Sequence, residues 1–103
     1  MNVFTKRLKE ARLKTGLSQK KLGIAAGLDQ FVASPRMNQY EKGSHLPDIN
    51  TTKKICEVLG VPVAYLYCED DELAQLIEKY GKLSDETKQK IRNVAGLSLN
   101  DFS

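Results

Sequence analysis

The sequence predicts an all-α protein, with five helices in a first unit and an extension of about two more. Apolar residues recur at three- and four-residue spacing, which lines one face of a helix. Segment after segment opens on a side chain that caps helices and closes on glycine. No alternating apolar–polar run of useful length marks a strand.

The first helix is expected from about Asn2 to Lys14, with Phe4, Leu8 and Ala11 in one stripe and Gly16 as its stop. Ser18 caps the second, whose inner face is Leu22, Ala25 and Ala26 and whose end is Gly27. Gly23 costs a helix up to about 1 kcal/mol relative to Ala, so its presence points to a close crossing by another helix. Ser34-Pro35 reads as an N-cap with proline at the first helical position. That opens a third helix, with Met37 and Tyr40 inward and Lys42-Gly43 at its end. Asp48 caps a fourth helix to about Leu59, with Ile49, Thr52, Ile55, Cys56 and Leu59 on its apolar face. Gly60 stops it, and Pro62 starts a short fifth carrying Val63, Leu66 and Tyr67.

The composition then changes. Glu69-Asp70-Asp71-Glu72 opens a sixth helix, where carboxylates complement the positive end of the dipole. Leu73, Leu76, Ile77 and Tyr80 form its stripe, and Gly81 breaks it. Ser84 caps a seventh helix with Ile91 and Val94 expected inside, and from Gly96 onward periodicity is lost. The expected organisation is residues 1–68 as one domain and 69–103 as an acidic helical extension.

Charge divides the same way. Residues 1–54 carry eleven Lys or Arg against four Asp or Glu, or +7, and residues 55–103 carry −4, giving +3 in all. One basic side suits a polyanion, although a solvated charged face produces the same count. No run approaches the roughly 20 apolar residues that span a bilayer. The first residues carry charge without an apolar stretch behind it, so no membrane partner is expected and the cytoplasm is the expected compartment. Cys56 and Cys68 have no metal-site spacing and lie in apolar stretches, so they are expected to pack as core residues. With one histidine, no nucleophile–base pair and no glycine-rich phosphate loop, neither an enzyme nor a cofactor or metal is expected.

Residues 18–43 hold two short helices, the second rich in polar side chains. A helix fits the major groove of B-DNA, and Arg, Asn and Gln can form paired hydrogen bonds with base edges. Arg36, Asn38 and Gln39 are those residue types. A merely solvated face would account for them equally.

The spacing Leu8-x-x-Ala11-Arg12-x-x-x-Gly16-Leu17-Ser18-Gln19-x-x-Leu22, with Ala26-Gly27-Leu28, Tyr40-Glu41-x-Gly43, Pro47 and Leu59-Gly60-Val61, resembles the phage repressor and Cro-like helix-turn-helix family, also called XRE. The resemblance covers about residues 4–67. It implies a five-helix, sequence-specific DNA-binding domain that regulates transcription, by repression, commonly as a homodimer on a near-palindromic double-stranded operator. By position it implies base reading by Ser34, Pro35, Arg36 and Gln39. It implies backbone contacts by Gln19, Lys20, Asn38, Lys42, Ser44 and His45, and a structural ion pair of Arg12 with Glu41. For His45 simple exposure is the commoner alternative, and Lys6, Arg7 and Lys21 are cations that phosphate or water alone would satisfy.

The chain departs from the family at the turn. Twelve residues separate Gly27 from Tyr40, about four more than the family uses. Phe31 and Val32 are expected to pack against the core to hold that longer turn, and Ile24 to cover it. Asp29 is expected to point away from DNA or to cap. Residues 69–103 are expected to pair two chains or to complete the packing. An alternative from another class is an antitoxin-like module that binds a protein partner through residues 69–103 and autoregulates.

Overall fold

A computed structural model describes residues 2–98, and the end of the expected extension, residues 99–103, lies outside them. The described residues form seven α-helices and no strand. These are α1 (Val3–Thr15), α2 (Gln19–Ala25), α3 (Ala33–Lys42), α4 (Ile49–Leu59), α5 (Val63–Tyr67), α6 (Asp71–Tyr80) and α7 (Asp85–Val94). Among them no helix is long and apolar enough to cross a membrane.

Local chemistry sets most of the ends. The side chains of Asn2, Ser18, Asp48, Asp70 and Ser84 each accept the backbone N–H three residues on, at 2.7–3.1 Å. Gly16, Gly43 and Gly60 end α1, α3 and α4 in the left-handed conformation. The core joins Phe4, Leu8 and Ala11 of α1 to Leu22, Ala26, Met37, Tyr40, Ile55, Cys56, Leu59, Tyr65 and Leu66. Burying a side chain such as Leu8, Leu22, Met37 or Ile55 is worth about 1.5–3 kcal/mol, and all four are fully buried. Burial pushes the Cys56 thiol up to about 11, while Cys68 is half-buried against the core.

The sixth helix is fastened to the first five. Ala74 enters the core, and Glu78 is buried and bonded to Lys14 at 3.2 Å. Arg7, read as a surface cation, is also buried. It donates to the Cys68 carbonyl at 2.8 Å and to Asp71 at 3.0 Å, so phosphate cannot be its partner in this arrangement. Lys6 reaches the same carboxylate at 3.5 Å. The seventh helix buries no residue; Arg92 bonds the Tyr80 hydroxyl at 3.3 Å and Lys88 lies over the Tyr80 ring. The radius of gyration, 15.5 Å, exceeds the roughly 13 Å of a compact domain this size, as an outlying α7 requires.

Several expected core positions face solvent. Ala25 is exposed, because the short α2 turns only Leu22 and Gly23 inward, with Ala26 following at its cap. Ile49 is 56% exposed, since α4 meets the core only after its first turn. Val94 is 91% exposed at the outer end of α7, and Leu73 and Leu76 are about half exposed on α6. Phe31, Val32 and Ile24 do not seal the turn against the core; Phe31 is 82% exposed.

Candidate nucleic-acid interface

The third helix is held from behind by α2. Gly23 makes this possible: a Cβ added there would sit 2.8 Å from the Ala33 Cβ and 3.1 Å from the Ala33 carbonyl oxygen. The backbones of α2 and α3 are therefore closer at this point than any side-chain-bearing residue permits. Ala33 and Met37 complete the contact, both fully buried.

The start of α3 differs from the expected one. Ser34 is not its cap. The helix begins at Ala33, after Val32, which has no capping side chain. The Asp29 carbonyl instead accepts the Val32 and Ala33 N–H groups at 3.0 and 2.9 Å, and the Asp29 carboxylate accepts the Phe31 N–H at 2.8 Å. Asp29 thus organises the long turn. Pro35 falls within the first turn of the helix, where a missing N–H leaves no hydrogen bond unmade.

A polar network locks α3 to α1 and α2. Arg12 grips Glu41 with two nitrogens; Nη2 lies 3.1 Å from Oε1, and Nε pairs with Oε2. Its Nη1 donates to the Leu17 carbonyl at 3.0 Å, so the guanidinium also fastens the α1–α2 connection. The Gln19 amide donates to Glu41 at 3.2 Å and to Asn38 at 3.3 Å. Glu41 is buried, and a carboxylate survives burial when it is paired and hydrogen-bonded in this way.

On the outer side, Ser34, Pro35 and Gln39 are exposed, and Arg36 is half-buried. Lys42, Ser44 and His45 are exposed where the chain leaves the helix, and Lys20 is exposed on α2. The Arg36 guanidinium reaches His45 Nε2 at 3.4 Å, and the His45 ring stacks on Tyr40 at 6.2 Å between centroids. Arg36 and His45 therefore lie side by side across the helix end. Lys9, Arg12, Gln19, Asn38, Glu41 and Lys42 line an open groove between α1, α2 and α3. Between Ser18 and Leu46 the acidic residues are Asp29, used by the turn, and the paired Glu41; the exposed remainder is cationic or neutral. The arrangement presents a rigid helix with a polar outer edge and basic flanks, a shape and charge suited to a duplex groove.

Sequence reasoning did not single out Lys9 of the groove or the exposure of Phe31. Lys9 carries no motif signal. The sole hint for Phe31 was its place inside the added turn.

Comparisons with known proteins agree with this geometry. A family model described as a helix-turn-helix domain matches residues 4–66. The chain is 26% identical over 97 residues to the cryptic phage CTXphi transcriptional repressor RstR of Vibrio cholerae, covering 92% of this chain and 74% of that one. It superposes on the crystal structure of the transcriptional regulator BswR with a TM-score of 0.84 and 45% identity, covering 96% of this chain and 98% of the other. By its matched fold, its presented helix and these relatives, the chain belongs to the helix-turn-helix domain family, as a DNA-binding regulator of transcription.

Proposed function

We propose that this protein is a repressor of the phage repressor and Cro-like type that binds a near-palindromic operator as a homodimer. The supporting observation is the contrast between the two sides of α3. One side is fixed by Gly23, Arg12, Glu41 and Gln19, while the other carries the exposed Ser34, Pro35 and Gln39. In this reading Ser34, Pro35, Arg36 and Gln39 read bases, because the N-terminal part of a recognition helix approaches the base edges most closely. Lys20, Asn38, Lys42, Ser44 and His45 contact the phosphates on either side. Asn38 accepts from Gln19 through Oδ1, which leaves its amide N–H groups to donate outward. Gln19 is chiefly a brace: its Nε2 already serves Asn38 and Glu41, so a phosphate contact there requires exchanging one of these bonds.

Pairing of two chains rests on residues 69–103. Leu76, Ile91, Val94 and Ala95 line an open apolar surface between α6 and α7, with Leu73 beside it. Covering that surface with a second copy removes it from water, and a near-palindromic operator requires the paired α3 helices to lie about 34 Å apart, one turn of DNA. Repression follows from occupying the operator, the activity carried in the name of the phage relative. The cytoplasm is the compartment this role requires.

Selection of bound sequences from random duplex DNA at stated salt, with sedimentation of the free protein, tests the reading. A two-fold symmetric consensus and a dimer are expected. An asymmetric site bound by one chain would remove the dimer. A stable complex with an unrelated small protein through residues 69–103 would favour the antitoxin-like alternative. Failure to bind any duplex in dilute buffer would remove the whole proposal.

A further inference from the structure

Phe31 stands out among the side chains that the fold does not use. It is 82% exposed, although phenylalanine is a residue that folded proteins ordinarily bury. Its position is fixed: the Phe31 N–H is held by the Asp29 carboxylate at 2.8 Å, and the next two N–H groups are held by the Asp29 carbonyl. The ring therefore stands on a hydrogen-bonded turn just ahead of Ala33, the first residue of α3. That is the leading end of the helix that the proposed function sends into the major groove. Val32, 43% exposed, adds an apolar neighbour, and Ser34 and Pro35 are exposed immediately after it.

We infer that Phe31 is a further specificity-determining residue, which packs against the C5-methyl group of a thymine in the major groove. The inference rests on the DNA-binding reading of α3 and extends it to the turn. The phenyl ring of Phe31 has no hydrogen-bonding group for a phosphate or a base edge, so apolar contact is the recognition open to it. In the major groove the thymine methyl is the apolar feature that distinguishes one base from the others. Occupation by a second copy of the chain fits less well, because it would cover the leading end of α3 and keep the helix out of the groove. The basic residues Lys20, Lys21 and Arg36, on the two helices joined by the turn, also favour a polyanion over an apolar or basic protein surface.

The test uses the full chain and its selected operator, with thymines replaced one at a time by deoxyuridine, which lacks only the methyl group. Loss of one buried methyl contact is expected to weaken wild-type binding about fourfold at one thymine in each half-site. Phe31→Ala should bind the thymine operator more weakly, and it should no longer distinguish thymine from deoxyuridine at that position. Phe31→Leu should keep part of the distinction. Phe31 is outside the core, so circular dichroism and the unfolding midpoint should match wild type. Three results would overturn the inference: a Phe31→Ala variant with the wild-type deoxyuridine profile, a loss equal on every sequence, or a change in sedimentation without a change in DNA preference. Absence of wild-type binding to any duplex would sink the proposed function as well, whereas normal DNA binding with an indifferent Phe31 would sink this inference alone.

Discussion

Gly23 and Ala33 approach so closely that a Cβ on the glycine would lie 2.8 Å from the alanine Cβ. This contact sets how far α3 stands from the body of the protein. Gly23→Ala brings two opposed effects. Helix propensity favours alanine by up to about 1 kcal/mol. Forcing a methyl group into a closed contact costs about 1–3 kcal/mol, and the nearest atoms include the backbone carbonyl oxygen of Ala33, which cannot swing aside. The clash should win, giving a net loss of about 1–2 kcal/mol in urea denaturation. Operator affinity should fall as well, because relief of the clash moves α3. A variant more stable than wild type would show that the two helices can separate freely.

The close crossing was legible in the sequence because a glycine in mid-helix weakens the helix unless a neighbour needs the space. The caps and glycine stops were legible for a local reason: a cap and the N–H it accepts are three residues apart. The start of α3 was not. Ser34-Pro35 has the chemistry of a cap, but the competing partner is the Asp29 carbonyl, and the choice depends on how the whole turn folds. Arg7 was unreadable because its partners, the Cys68 carbonyl and Asp71, lie more than sixty residues away. Phe31 was misread because hydrophobicity by itself predicts burial. The polar types on α3 could be named from sequence, whereas their division into an inner network and an outer edge needed the geometry.

Glu41 supplies the second prediction. It is buried, and it accepts from both Arg12 and Gln19. Glu41→Ala strands the Arg12 guanidinium, which is itself mostly buried, without its counter-charge. Removing one member of a buried pair costs about 3–5 kcal/mol. Replacing both, as Arg12→Met with Glu41→Leu, should recover much of that loss, because no unpaired charge remains. A thermal denaturation cycle over the wild type, both single variants and the double variant checks this. Equal destabilisation by all three variants would show that packing, and not the charge pair, holds the site.

The link between α1 and α6 predicts a dependence on acid. The Arg7 hydrogen bond, followed by the charges of Lys6 and Arg7, holds the Asp71 carboxyl below its ordinary value of 3.8. Asp48 is lowered too, chiefly by the backbone N–H of Thr51 and then by the Thr51 side chain. A carboxylate lowered in the folded state binds its proton less readily there than in the unfolded chain. Its contribution is therefore complete above the ordinary carboxylate value and is lost as pH falls through the folded one. The unfolding midpoint of the wild type should drop below about pH 4. Asp71→Asn should be less stable near neutrality and should converge on wild type in acid. A constant difference across the whole range would mean that Asp71 acts through its shape and not its charge.

Gln39 and Lys42 separate sequence reading from backbone grip within one helix. Both are exposed, and Lys42 is the last residue of α3, where the chain turns away through Gly43. Its ammonium is a donor without a planar fork, suited to a phosphate oxygen. Replacing it with alanine should weaken binding to every duplex alike and reduce the slope of log affinity against log salt by about one. Gln39 carries an amide that can pair with adenine through two hydrogen bonds. Gln39→Ala should cost about 1–3 kcal/mol on the preferred operator, relax the preference at one base pair and leave the salt slope unchanged. Titrations of both variants on the preferred operator and on unrelated DNA, over several salt concentrations, distinguish the two roles. If Gln39→Ala weakens all sequences equally, the residue positions the helix and does not read it; if Lys42→Ala leaves the slope intact, its charge lies away from the phosphates.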